Sequence, residues 1–141
     1  MDDALKACAR GTVCWIKGRR DEAIAQFTEA IRLDPQCARA YCNRGTVHFE
    51  QGDLEAALAD FDEAIRLDPQ YTRAHNNRGV ALKAKGELDR AIAEYTEALR
   101  IDPEHADAYR NRGAAYHKKG SNELAKADFE RYRQLRAAPK S

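Results

Sequence analysis

Four cysteines, four histidines and 23 carboxylates could in principle assemble a metal site or a nucleophilic centre, so their spacing comes first. Cys8, Cys14, Cys37 and Cys42 all lie in the first third of the chain and form no CxxC pair. His48, His75, His105 and His117 form no HxxxH pair. A metal needs such ligands to converge at known spacings, so neither a metal nor any other cofactor is expected. The sequence holds no glycine-rich phosphate loop and no nucleophile elbow, and the chain is expected to be no enzyme.

Two recurring polar residues stand out instead. Arginine appears at 10, 44, 78 and 112, and asparagine at 43, 77 and 111. An arginine whose stem packs can still send its guanidinium to an acid. Asp34, Asp68 and Asp102 each stand ten residues before Arg44, Arg78 and Arg112. The expectation is a structural ladder of ion pairs across the turns, with ligand binding as the alternative. A carboxamide offers donors and an acceptor together, so it can pair with any peptide group.

These rows follow from a period of 34 residues. The phrases AIAQFTEAIRLDP, ALADFDEAIRLDP and AIAEYTEALRIDP recur, with Pro35, Pro69 and Pro103 in register. The period gives units at 4–37, 38–71, 72–105 and 106–139, and all eight glycines fall at two places within them. Each unit reads as two helices. Gly18, Gly52, Gly86 and Gly120 end the first helix, because glycine tolerates the left-handed conformation just beyond a helix. Asp53 or Glu87 starts the second with a favourable charge, and the LDP phrase stops it. Gly11, Gly45, Gly79 and Gly113 let helices approach, beside the recurring Ala23, Ala57, Ala91 and Ala125. Phe27, Phe61, Tyr95 and Phe129 fill the space between helices.

The units resemble tetratricopeptide repeats, a pattern carried by Tyr41, Gly45, Ala57, Phe61 and Pro69 in the second and by Tyr109, Gly113, Tyr116, Ala125 and Phe129 in the fourth. His75, and in the first unit Ala7 and Cys14, depart from its aromatics. The resemblance implies an all-α, right-handed α-solenoid of four antiparallel helix–turn–helix repeats, eight helices in all. It also implies a concave groove lined by the first helices. The expected layout is a single domain over 4–137 with a flexible tail at 138–141.

By helical spacing, positions two, five, six, nine, twelve and thirteen of each first helix point into that groove. The candidate binding residues are therefore Asn43, Asn77, Asn111, Arg39, Arg73, Trp15, Phe49, Lys83 and Thr46. The asparagines resemble the asparagine ladder of the superhelical domain in O-linked N-acetylglucosamine transferases, where such residues hold a peptide backbone. The alternative is that asparagine simply suits this turn of the helix. Trp15, Phe49 and Ile16 would form an apolar end, unless the N-terminal turn part-buries Trp15. Arg39, Arg73, Lys83 and Lys118 would form a basic stretch beside it. One subclass of the family clamps acidic chaperone tails with two lysines, two asparagines and an arginine; Asn43 and Arg73 fit, whereas Cys8, Thr12 and Asn77 depart.

The expectation is thus a protein-interaction module or adaptor that takes an extended, acidic peptide with an apolar anchor. Lys plus Arg total 24 against 23 acids, a balance with no overall pull towards nucleic acid or membrane. The basic fourth unit could touch phosphates non-specifically, but a helical-repeat reader of RNA needs side chains that vary by base. No apolar run approaches the roughly 20 residues of a membrane span, and MDDALKACARG is unlike a secretory signal. The expected location is the cytoplasm, with reduced thiols. Lys126 and Arg133 replace apolar residues of earlier units, and Lys6 replaces alanine, as suits the ends of an array. The chain is expected to be a monomer or weak homo-oligomer, with self-assembly through the repeat ends as a further reading.

Overall fold

The computed structural model describes residues 2–137; the tail expected at 138–141 lies outside them. Those residues form eight α-helices and no strand: α1 Asp3–Ile16, α2 Arg20–Leu33, α3 Ala38–Glu50, α4 Leu54–Leu67, α5 Thr72–Ala84, α6 Leu88–Ile101, α7 Ala106–Lys119 and α8 Asn122–Ala137. They divide into two compact units, with the boundary between Gln70 and Tyr71. In the first, α1 pairs with α2 and α3 with α4, and α2 packs on α3. The second repeats that arrangement with α5 to α8.

The punctuation expected from the 34-residue period is present. Gly18, Gly52, Gly86 and Gly120 have φ between 77° and 90°, and at each an added methyl would have space but a strained backbone. The Asp53 side chain caps α4 by accepting from the Ala56 amide. Glu87 holds the same place before α6 without a side-chain capping bond.

The second helix ends in a way the proline alone does not explain. Asp34 adopts extended backbone angles, and its Oδ1 accepts the amide of Gln36 at 3.0 Å. Asp68 and Asp102 do the same for Gln70 and Glu104. The carboxylate thus folds back on its own turn and satisfies a donor freed where the helix stops.

In the first unit the core gathers Ala7, Cys8, Ala23, Phe27, Ala30, Ala40 and Val47. Alanines keep the helices close, and the rings of Phe27 and Phe61 occupy the interior. A Cβ on Gly45 would stand 2.8 Å from the Phe61 ring, and one on Gly79 only 2.5 Å from the Tyr95 ring. The internal glycine therefore makes room for the aromatic side chain of its own repeat. In the second unit Leu82, Tyr95, Ala98, Leu99 and Ala108 are buried.

Candidate functional site

The recurring arginines are placed first, because they fix how the first helices present their other faces. Within each unit the expected pairs, Asp34 with Arg44 and Asp102 with Arg112, do not form, and the carboxylates of Asp34, Asp68 and Asp102 serve their own turns. Arg44 instead grips Asp60 in its own repeat with two bonds, 2.9 Å from Nε and 2.8 Å from Nη2. Arg112 grips Asp128 equally, at 2.8 Å twice. Arg78 donates to Glu94 at 2.6 Å, and Arg10 to Gln26 at 2.9 Å. The partner always lies sixteen residues onward, on the second helix. Asp60 and Asp128 are each only 5% exposed. Their burial beside a planar bidentate donor identifies them as structural.

The same arginines reach a second repeat. Arg44 Nη1 donates to Thr28 Oγ1 at 3.2 Å, and Arg112 Nη1 to Thr96 Oγ1 at 3.3 Å. The hydrogen bonds of Asp60 and Asp128 hold the protons of Arg44 and Arg112 more firmly than usual. Repeat three modifies the theme: Glu94 accepts from Arg78 and lies 2.9 Å from Nδ1 of buried His75. Burial alone would push the Glu94 carboxyl up, but the bonds from His75 and Arg78 outweigh it and hold it below the usual carboxylate range.

Asn43 and Asn111 sit at the edge of their first helices facing the preceding repeat. Asn43 is only 6% exposed, with its amide nitrogen 3.8 Å from Cys8 Sγ. Asn111 is part-buried and donates to Asn76 Oδ1 at 3.1 Å. Asn77 is part-buried as well. Part of the hydrogen-bonding capacity expected for a ligand is thus committed between helices. Thr46 is part-buried, and its hydroxyl donates back to the Cys42 carbonyl at 3.0 Å.

Trp15 is part-buried rather than a free aromatic: it packs on the first unit's core and its Nε1 donates to Glu50 at 2.7 Å. Phe49 is part-buried, whereas Ile16 is 76% exposed. Arg39 is exposed and Lys83 part-buried. Arg73 is part-buried, lies over the Tyr71 ring at 5.7 Å and donates to its hydroxyl at 2.8 Å. In the second unit Tyr132 lies under Arg110 and Arg136, at 5.5 and 6.0 Å. Among the described residues no three His, Cys, Asp or Glu side chains come together as metal ligands. No helix there is long and apolar enough to cross a membrane.

Sequence reasoning missed Asp60, Glu94, Asp128 and Asn76. The signal for the acids was present, an acid sixteen residues after three of the four arginines.

Known structures give the arrangement its context. A crystal structure of MamA is 27% identical and superposes with a TM-score of 0.85, over 96% of this chain and 79% of that one. The first TPR of Spaghetti (RPAP3), bound to the HSP90 peptide SRMEEVD, is 26% identical with a TM-score of 0.81, over 84% of this chain and 94% of that one. No curated protein sequence matches the chain. The tetratricopeptide repeat profile matches residues 8–72, 42–104 and 76–141. With its helix pairs, its paired glycines and that match along nearly its whole length, the chain belongs to the tetratricopeptide repeat family.

Proposed function

We propose that this chain is a non-enzymatic adaptor whose first helices hold an extended peptide segment of a partner protein. The observation that carries the reading is the likeness, over 84% of the chain, to a domain bound to a peptide. That peptide, SRMEEVD, holds three acids and one base, in keeping with a preference for acidic segments.

In the second unit Asn77 and Asn111 present carboxamides beside the basic Arg73, Lys83 and Lys118. They take the peptide backbone and its acids respectively. Although Asn111 donates to Asn76, its carbonyl oxygen can still accept from a peptide amide. In the first unit Phe49 and Trp15 supply apolar contact, Arg39 adds charge, and Thr46 and Asn43 shape the helix face. Aromatic and arginine side chains dominate such interfaces, since they bury much area at low entropic cost.

The test is a peptide-display selection on the whole chain, followed by affinity measurements of the selected peptides. Acidic peptides with an apolar residue are expected, and Asn77→Ala with Asn111→Ala should weaken them about tenfold, equivalent to one or two lost hydrogen bonds. Asn43→Ala is left out of that variant because Asn43 is buried. A selection that never rises above background, or a double variant that binds as the wild type does, would overturn the reading.

A further inference from the structure

Successive repeats within each unit are joined in a fixed register. The arginine at position seven donates to position 25 of the preceding repeat, as Arg44 does to Thr28 and Arg112 to Thr96. Position fourteen donates to position eighteen of the preceding repeat, as Gln51 does to Asp21 and Lys119 to Asp89. Position ten is buried in that junction, with Val47 and Ala115 both inaccessible.

The first repeat carries the same donors on α1. Arg10 and Lys17 occupy positions seven and fourteen. Val13, at position ten, is 50% exposed, and Leu5, Ala9 and Val13 form one exposed stripe along α1. A shallow, apolar hollow lies there between Ala9, Arg10, Val13, Cys14 and Gln26. The fourth repeat carries the acceptors. Its positions 25 and eighteen are Glu130 and Glu123, both exposed. Phe129 is only part-buried, although Phe27 and Phe61 are enclosed. Its ring lines a hollow with His117, Ala125 and Lys126.

We infer that the α1 face of one copy docks on the α8 face of a second copy, head to tail, in the register that joins repeats within the chain. That register sets Arg10 against Glu130 and Lys17 against Glu123, two attractions, where the junction of α2 with α3 pairs Arg44 with Thr28 and Gln51 with Asp21. It also covers the α1 stripe with the ring of Phe129. Lys6 opposes it: it stands where Ala40, Ala74 and Ala108 lie, in the region that α8 lines with Arg133. Association is therefore weak and salt-dependent. This inference deepens the end-to-end reading of the repeat edges and does not depend on the peptide reading.

Sedimentation equilibrium of the whole chain over a wide concentration range, at low and high salt, tests it. The wild type gains mass with concentration and loses that gain at high salt. Arg10→Glu alone and Glu130→Arg alone each weaken association about tenfold or more by setting like charges together. Mixing the two variants restores it, since every junction of unlike copies then pairs opposite charges. Lys6→Ala strengthens it. Circular dichroism establishes that each variant is folded; Arg10 and Glu130 are both exposed, so neither change disturbs the core. A wild type that stays monomeric throughout, a Glu130→Arg chain that associates normally, or a mixture that fails to recover association overturns the inference.

Discussion

Tyr95 offers a test of the packing argument at a single atom. It occupies the place held by Phe27, Phe61 and Phe129, and it is completely enclosed. Its hydroxyl is buried with no hydrogen-bond partner among the described residues. Burial accordingly pushes the phenol's pKa far above its ordinary value. An unsatisfied buried hydroxyl costs about 1–3 kcal/mol. Removing it forfeits a few tenths of a kcal/mol of contact, on the order of two or three atom pairs. Tyr95→Phe should therefore stabilise the protein by about 1–2 kcal/mol. For a chain of this length the entropy of unfolding is about 0.3 kcal/mol per kelvin, so the melting temperature rises by about 3–7 °C. The reciprocal change, Phe61→Tyr, places a hydroxyl at an equally enclosed site and should lower stability by a similar amount. Urea denaturation followed by circular dichroism measures both. If Tyr95→Phe is neutral or destabilising, the hydroxyl has a partner in solution and the reasoning fails.

Two further expectations concern charge. Asp60→Ala leaves the Arg44 guanidinium part-buried and without its bidentate partner, and should cost about 3 kcal/mol in urea denaturation. Asp68→Ala removes one turn bond and should cost about 1 kcal/mol, so equal costs would contradict the assignment. Glu94 gives a pH dependence: its folded pKa lies below the unfolded value of about 4.3, so its contribution is complete above that value. The contribution is lost as pH falls below that value and through the lowered folded pKa, and Glu94→Gln should flatten the loss of stability below about pH 4.3.

Features set by the backbone were legible from the period alone. A left-handed residue must end each first helix, and only the glycines at 18, 52, 86 and 120 recur where it is needed. The arginine partners were less legible because two chemical roles compete for the same residue type. Asp34, Asp68 and Asp102 are nearer in sequence to the arginines, but their carboxylates are short enough to close their own turns. The true partners vary as Gln26, Asp60, Glu94 and Asp128, and this variation hides the column. The asparagines show the limit of a single-helix wheel. The wheel places position six on an open face, but it has no knowledge of the preceding repeat, which encloses Asn43.

Repeat three shows why those columns cannot be read one at a time. In repeat two Tyr41 lies under Arg44 at 5.7 Å while Asp60 holds the guanidinium from the side. In repeat four Tyr109, Arg112 and Asp128 reproduce this arrangement. In repeat three the aromatic becomes His75 and the acid becomes Glu94, one methylene longer. The longer carboxylate has one oxygen within reach of the imidazole and the other on Arg78. A histidine at this buried place needs a polar partner, because an unpaired imidazole nitrogen there would carry the cost of its desolvation. Tyrosine, which offers Arg44 and Arg112 its ring face, makes no such demand on the acid. The exchange of tyrosine for histidine and of aspartate for glutamate is therefore one structural change distributed over two helices. Each half, taken alone, resembles a departure from the repeat pattern; together they preserve its function of tying the first helix to the second through a part-buried arginine.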